Sequence, residues 1–210
     1  MKIFWILNFA LLLSLGSFAK DEKNLKTNKS NAETTKAVGK NLDIIFKADS
    51  GKTEFTAIGK PAMLKINGEG PSPSGVITVS ENEIVNGKFN LDLTKLTTKI
   101  DIRDDHMKNK YLEVEKFPTA VLEIKNLKLP TKFSDLKNEI NLNFEGQLTM
   151  HGQTKKVTGK TILSKDNKSI KINSEFTIKV MEFLSTLPEY KGIKVADDVN
   201  IKISSTGMLE

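Results

Sequence analysis

Two short segments hold both histidines and the only arginine of the chain. Residues 101–107 read Asp-Ile-Arg-Asp-Asp-His-Met, and residues 148–153 read Leu-Thr-Met-His-Gly-Gln. Every other basic residue is a lysine, and the flat guanidinium of arginine offers a fork of five donors that an ammonium cannot imitate. These segments therefore concentrate the side chains that can hold a carboxylate, a polar headgroup or a metal ion.

Three roles are open for Arg103 and His106. In a structural role, the guanidinium binds a carboxylate or backbone carbonyls and pins its segment to the rest of the fold. In a recognition role, both side chains meet the polar headgroup of a ligand. In a catalytic or metal role, histidine and aspartate would act as acid–base groups or as zinc or iron ligands.

The catalytic and metal roles have little support in the spacing. No His-x-His or His-x-x-x-His pair occurs, and no serine or cysteine stands with a base at a sharp strand-to-helix turn. We therefore expect neither an enzyme nor a metal site, and we expect His151 to satisfy backbone groups in a turn.

The body of the chain alternates between apolar and polar residues with a period of two. Between residues 141 and 150 the apolar side chains and Gly146 occupy the even positions, and residues 85–93, 170–178 and 199–207 show the same period. Such alternation is typical of antiparallel sheets with one apolar face and one polar face.

Turn signals divide these runs into strands. Hairpin-sized turns are predicted at residues 81–82, 151–153 and 166–168. Two further segments, 101–114 and 180–193, break the alternation and are predicted to cross a barrel end as short helices or turns. The predicted strands are 42–48, 52–58, 62–68, 75–80, 83–93, 119–128, 139–151, 155–164, 169–179 and 198–208.

Long strands joined by tight hairpins favour a closed barrel, because closure removes exposed sheet edges. We predict an all-β fold: an antiparallel barrel of eight strands or slightly more, with short helical crossings. The interior of an eight-stranded barrel is either filled by side chains or holds one small ligand.

The inward-facing residues leave both outcomes open. Small residues leave volume behind, but glycines also allow strands to coil tightly. The small inward residues are Gly87, Gly146, Gly159, Thr161, Ser174 and Gly207. If a channel exists, we predict that it is lined by Val85, Phe89, Leu91, Phe144, Leu148, Ile172, Phe176 and Ile178.

The first forty residues predict export. Residues 1–19 combine Lys2, an apolar run and a small-residue ending, which is typical of a signal peptide cleaved after Ala19. Residues 20–40 are too polar to form a core and predict a flexible linker, leaving 41–210 as one domain. The chain has no cysteine, which excludes disulfides, thiolate metal sites and a lipid-modified cysteine.

The net charge of +6 comes from lysines spread along the chain. A charge of this size is explained by a soluble, lysine-rich surface. With one arginine and an export signal, the chain is a poor candidate for binding nucleic acid.

Five stretches together resemble the signature of the YceI-like family. They are residues 89–93 (Phe-Asn-Leu-Asp-Leu), 103–107 (Arg-Asp-Asp-His-Met), 117–120 (Phe-Pro-Thr-Ala), 146–155 (Gly-Gln-Leu-Thr-Met-His-Gly-Gln-Thr-Lys) and 196–201 (Ala-Asp-Asp-Val-Asn-Ile). The resemblance implies an exported, lipocalin-like barrel that binds polyisoprenoid lipids. The chain departs from the family pattern after His151-Gly152 and in the opening strands, and both departures bear on the shape of the cavity.

The resemblance implies a periplasmic protein that binds and transports or stores an isoprenoid lipid, either a quinone or a polyprenyl compound, with no other cofactor. If Arg103 and His106 take the recognition role and not the structural one, they would meet its headgroup. The inner-membrane surface or a membrane partner would exchange the lipid, and a homodimer is left open. The rival hypothesis is an interaction module: a filled barrel whose rim docks a membrane partner.

Overall fold

The structure is a computed structural model that describes residues 41–210. The predicted signal peptide at 1–19 and the predicted linker at 20–40 lie outside the described residues.

Strands make up most of the described chain. One short helix, α1 (Asp101–Asp105), continues into a wide π-helical turn at His106–Tyr111, and single 3-10 turns occur at Leu93–Lys95, Phe133–Asp135 and Val180–Glu182. No helix within residues 41–210 is long and apolar enough to cross a membrane. The strands are β1 (Leu42–Lys60), β2 (Leu64–Pro71), β3 (Ser74–Val79), β4 (Ile84–Asp92), β5 (Thr119–Lys128), β6 (Ile140–Met150), β7 (Gln153–Asp166), β8 (Ser169–Lys179), β9 (Glu189–Tyr190), β10 (Ile193–Val195) and β11 (Asp198–Leu209).

Eight antiparallel strands close into a barrel, which confirms the predicted fold class. Sequential neighbours pair from β3 to β8, β11 pairs with β8, and β1 joins β3 to β11. The remaining strands lie outside this ring: β2 pairs with β1, and the short β9 and β10 extend the β1 edge.

The first part of the described chain differs from the prediction, which placed two strands at 42–48 and 52–58. The structure has one strand, β1, whose register against β11 shifts between Phe46 and Gly51. At Gly51 a Cβ atom would lie 2.0 Å from the carbonyl oxygen of Ser204. The glycine therefore marks an irregularity that bends a continuous strand around the barrel, and it does not begin a turn.

The predicted hairpin turns are present. Residues 80–83 join β3 to β4, residues 151–152 join β6 to β7, and residues 167–168 join β7 to β8. At the second turn His151 and Gly152 have φ angles of 50° and 71°, the positive pair that a two-residue hairpin of type I′ requires.

The segment 180–193 was predicted as a short helix or turn, and only its first residues fit that description. After the 3-10 turn at Val180–Glu182 it forms the small β9–β10 hairpin, with positive φ at Lys191 and Gly192. Strands of two and three residues are too short to show alternation, so the pattern gave no signal for them.

One end of the barrel is closed by a packed apolar cluster. Ile44, Phe46 and Ile170 are almost inaccessible to solvent there. The β5–β6 connection lays Phe133 and Leu136 across that end. The opposite end is crossed by residues 93–118, which join β4 to β5 and are called the crossing segment below.

Candidate functional site

The barrel encloses a cavity of about 610 Å³ with largely apolar walls. All eight residues predicted to line a channel border it, as do Arg103 and His106. The structure therefore brings all ten predicted site residues to one cavity. Eight of them come from the alternating strands, and two come from the segment 101–114 that breaks the alternation.

The small inward residues have two different roles. At Gly159 and Gly207 a Cβ atom would lie 2.6 Å from the Phe144 ring and 2.7 Å from the Phe46 ring, so aromatic rings take the space of the missing side chains. Three others leave their volume to the cavity: Gly87, Thr161 and Ser174. The expectation that small residues leave volume therefore holds at three positions, while at Gly159 and Gly207 neighbouring rings fill the space.

The hydroxyl groups on the cavity wall are paired within the protein. Ser174 Oγ donates to Thr161 Oγ1 at 2.8 Å, and Thr53 Oγ1 donates to the carbonyl oxygen of Pro71 at 2.8 Å. Ser205 Oγ accepts a hydrogen bond from Ser72 at 2.6 Å. Because these groups are satisfied, the inner wall behaves as an apolar surface.

The crossing segment is anchored by the carboxylate of Asp104. It accepts hydrogen bonds from the hydroxyls of Thr97 and Thr98, and from the backbone N–H of Thr98 at 2.6 Å. The backbone of Thr97 in turn exchanges two hydrogen bonds of 2.8 Å with Glu69 of β2. Burial raises the pKa of the Asp104 carboxyl, but the hydrogen bonds from Thr97 and Thr98 outweigh it and leave the pKa below its ordinary value.

Arg103 holds the same loop. Its Nε donates to Thr98 Oγ1 at 2.8 Å, and its Nη2 donates to the carbonyl oxygen of Thr98 at 3.0 Å. No ion pair joins it to a carboxylate within residues 41–210. The sequence left two structural partners open for Arg103, a carboxylate or backbone carbonyls. The structure shows a bond to a backbone carbonyl, and the side chain also borders the cavity.

His106 carries the one buried side-chain nitrogen or oxygen of residues 41–210 that lacks a hydrogen-bond partner. Its Nδ1 is buried and has no hydrogen-bond partner among the described residues. Its ring packs edge-on against Tyr190 of β9, with ring centroids 5.0 Å apart. The nearby Tyr111 hydroxyl is satisfied, because it donates to the carbonyl oxygen of Glu189 at 3.0 Å and accepts from the Glu189 N–H at 2.9 Å.

His151 contacts the crossing segment and not the backbone of its own turn. Its Nε2 lies 2.8 Å from Glu113 Oε2, and its ring packs against Phe117 with centroids 4.5 Å apart. Hydrogen bonds from Lys116 and then from His151 lower the pKa of Glu113. The turn after β6 thus fastens the far end of the crossing segment, a long-range contact that the sequence pattern could not show.

Within residues 41–210, no three His, Cys, Asp or Glu side chains are gathered as a metal-binding group. His151 is engaged with Glu113, and His106 faces Tyr190 and the cavity. The arrangement is therefore that of an apolar binding cavity with one unsatisfied polar atom on its wall.

The cavity opens where its lining residues become exposed to solvent. These residues come from the β1–β2 turn, the start of α1 and the β9–β10 hairpin: Leu64, Ile100, Ile102 and Tyr190. Sequence reasoning missed Tyr190 and its neighbour Ile193, because they belong to strands of only two and three residues, and it did not assign Leu64, the first residue of β2, to the cavity. The break in the alternation at 101–114 and 180–193 was the signal that pointed to this end of the barrel.

A family model described as "YceI-like domain" matches residues 46–206. The chain belongs to the YceI-like family. Its matched region includes most or all of every barrel strand and the whole crossing segment, which confirms the resemblance carried by residues 89–93, 103–107 and 146–155.

Solved structures share this YceI-like fold at low sequence identity. A polyisoprenoid binding domain from Saccharophagus degradans, implicated in plant cell wall breakdown, matches with a TM-score of 0.63 and 13% identity, covering 80% of this chain and 99% of that chain. Burkholderia cenocepacia BcnA matches with a TM-score of 0.57 and 17% identity, covering 75% and 96%. The YCEI protein of Campylobacter jejuni gives 0.52 and 20%, covering 69% and 85%. No curated protein matches the chain.

Replacement of Asp104 by alanine is predicted to destabilise the domain by about 1–3 kcal/mol near neutral pH, because three donors lose a charged acceptor. The folded-state pKa of Asp104 is lowered, so this contribution is complete above the ordinary aspartate pKa of about 3.9 and is lost as the pH falls through the folded-state pKa.

Urea unfolding of the wild type and of Asp104→Ala at several pH values measures this difference. Asp101→Ala, an exposed neighbour on α1, is the control and should stay near wild type. A stability difference between wild type and Asp104→Ala that persists unchanged well below pH 4 would contradict the assignment.

Proposed function

We propose that this protein binds an isoprenoid lipid, a quinone or a polyprenyl compound, with the tail inside the barrel, and that it stores or carries this lipid in the periplasm. The observation that supports the proposal most is the open apolar cavity of about 610 Å³ where a filled barrel would have a core. A structural neighbour of the same fold is a polyisoprenoid binding domain. The export signal predicted at residues 1–19 supports the compartment.

The size and chemistry of the cavity suit a flexible apolar tail. Ligand cavities in proteins usually measure about 300–1,000 Å³. Branched isoprenoid units present methyl groups and methylenes that match the aliphatic and aromatic walls, and each methylene removed from water contributes about 0.8 kcal/mol. The hydroxyl groups of Thr161 and Ser174 on the wall are hydrogen-bonded to each other, so an apolar tail can pack against them without leaving that pair unsatisfied.

The energetics favour reversible binding. A membrane solvates an isoprenoid tail about as well as the cavity does, so transfer from bilayer to protein gains little from the hydrophobic effect alone. A site that competes evenly with the bilayer loads and unloads readily, which is what a reservoir or shuttle requires.

The headgroup is proposed to meet His106. Leaving a buried polar nitrogen unpaired costs about 1–3 kcal/mol, and the Nδ1 of a neutral imidazole can act as donor or acceptor according to its tautomer. A hydroxyl or carbonyl oxygen of a lipid head would satisfy it. Arg103, held by Thr98, borders the same part of the cavity.

Binding is favoured over catalysis and over a filled interaction module. The family is one of binding proteins, and the two histidines are engaged in separate contacts. A filled barrel would show packed side chains where the cavity lies, so the open interior speaks against the rival hypothesis.

Filling the cavity tests the proposed function directly. The double variant Thr161→Leu/Ser174→Leu adds apolar volume to the wall and removes both members of a hydrogen-bonded pair, so no polar group is left unpaired. We expect it to fold and to lose most of its lipid, as measured by solvent extraction and mass spectrometry of purified protein.

The matched control is Thr161→Val/Ser174→Ala, which removes the same hydrogen bond without filling the space. It should keep the lipid content of the wild type. Equal lipid content in a folded, filled variant would show that the tail lies elsewhere.

His106→Phe tests the headgroup contact. The substitution keeps a ring against Tyr190 but removes the unpaired nitrogen, so the empty protein should be as stable as the wild type or slightly more stable. Its affinity for a short-chain prenylquinone, titrated by calorimetry, should fall by about two- to tenfold, since one hydrogen bond in an apolar site contributes about 0.5–1.5 kcal/mol. Unchanged affinity would exclude His106 as the headgroup contact.

A further inference from the structure

Exposed large apolar side chains are concentrated around the opening of the cavity. The described residues include eight exposed large apolar side chains, and five of them lie on the turn, helix and hairpin that surround the opening. These five, called the rim residues here, are Met63, Leu64, Ile100, Ile102 and Tyr190. Contiguous exposed apolar surface of this kind marks an interaction site.

The backbone brings the rim residues together. Gly59 of β1 pairs with Leu64 of β2 on one side and with Val195 of β10 on the other. A Cβ atom at Gly59 would lie 2.6 Å from the Ile193 side chain and 3.6 Å from that of Leu64. The β1–β2 turn and the β9–β10 hairpin are therefore neighbours.

The third side of the opening is tied to the same hairpin. Tyr111, in the crossing segment, holds the backbone of Glu189 through two hydrogen bonds, and the rings of His106 and Tyr190 are in contact. Ile100 and Ile102 precede these residues in the crossing segment and border the same cavity. The rim thus surrounds the entrance.

Three exposed lysines flank the two hairpins. Lys60 and Lys194 are directly opposite each other on β1 and β10, and Lys65 lies one residue beyond the Gly59–Leu64 pair. Like charges directly opposite on neighbouring strands destabilise a sheet. None of the three forms an ion pair with another described residue, and the nearest acid by register is Glu189, opposite Lys194.

The crossing-segment side of the opening is more balanced in charge. Asp101 and Asp105 are exposed on α1, and Lys99 is paired with Glu69 at 3.0 Å. The excess of positive charge is therefore confined to the two hairpins, next to Met63 and Leu64. This arrangement places cations around an apolar tip at the entrance of a lipid-sized cavity.

We propose that the rim docks the protein on an anionic phospholipid bilayer, with Met63 and Leu64 among the acyl chains and Lys60, Lys65 and Lys194 at the level of the lipid phosphates. Basic residues beside an apolar surface are the features that bind such membranes. In this orientation the cavity opens toward the bilayer, so a tail enters without crossing water. The inference rests on the proposed lipid-binding function and names the surface with which the lipid is exchanged.

Flotation with vesicles tests the charged part of the rim. The wild type should float with phosphatidylcholine vesicles that contain phosphatidylglycerol, and it should bind pure phosphatidylcholine vesicles at least about tenfold more weakly, with binding that falls as salt is added. Lys60→Glu/Lys65→Glu/Lys194→Glu should reduce binding to the anionic vesicles by at least about tenfold.

The control has the same net charge but a different location. Lys132→Glu/Lys137→Glu/Lys168→Glu changes three exposed lysines beside the closed end of the barrel and should bind anionic vesicles much better than the rim variant. Equal loss in both triple variants would mean that net charge alone governs binding, and it would overturn the proposal. So would equal binding of the wild type to both kinds of vesicle, or binding to neither.

The apolar part of the rim has its own matched pair. Met63 is 66% exposed at the β1–β2 turn, and Met208 is 53% exposed on β11, where it pairs with Ile45 and Ser169. Met63 has a φ angle of 53°, a region that aspartate tolerates. Met63→Asp should weaken vesicle binding several-fold more than Met208→Asp, and equal effects would contradict the orientation.

A separate measurement distinguishes failure of the docking surface from failure of the lipid-binding function. Uptake of a short-chain prenylquinone from solution needs no bilayer, and Lys60, Lys65 and Lys194 do not border the cavity. Normal uptake by the lysine rim variant with lost vesicle binding supports the docking surface. If the wild type and the lysine rim variant both take up the quinone and float equally well with anionic vesicles, the docking surface is overturned and the binding function stands. Failure of quinone uptake in the wild type counts against the binding function itself.

Discussion

The structure depends on the closure of β1 against β11, which turns eight amphipathic strands into a ring with one inward face. Closure fixes the diameter, and the number of atoms on the inward side chains then decides whether the centre is solid or open. Here Gly87, Thr161 and Ser174 leave space, while aromatic rings over Gly159 and Gly207 fill other parts. The bend of β1 at Gly51 allows this closure, because a strand with ideal pairing along its whole length could not turn between two sets of neighbours.

The crossing segment covers one end of the barrel beside the exposed part of the cavity lining. Its first part is fixed by Asp104 and Arg103 around Thr98, and its last part by Glu113 against His151. The opposite end is plugged by Phe133 and Leu136. Three residues of the family signature, Arg103, Asp104 and His151, therefore position this segment. His106 is the member whose buried Nδ1 has no partner among the described residues.

Much of the fold was predictable because alternation reports burial directly. The inward positions of β6 and β8, among them Leu148 and Phe176, followed from a period of two, and the His151-Gly152 turn followed from its residue types. The continuity of β1 was not predictable, because Ser50-Gly51 has the composition of a turn and only the pairing with β11 shows a bend. The β9–β10 hairpin was too short to leave a pattern.

The candidate site was predictable as a set of residues but not as a cavity. Alternation identified which side chains point inward, whereas the open volume depends on how rings such as Phe144 lie over a neighbouring glycine. The contact between His151 and Glu113 joins residues far apart in sequence, and no local pattern encodes it. The sequence left the role of Arg103 open, and only the two hydrogen bonds to Thr98 in the structure support a structural role.

The most direct test of the account is native mass spectrometry of the full-length protein expressed with its own N-terminus and purified without detergent. The account predicts an added mass that is released on activation and fragments in steps of isoprene units. Protein of bare polypeptide mass in every preparation, still bare after incubation with a prenylquinone, would contradict it.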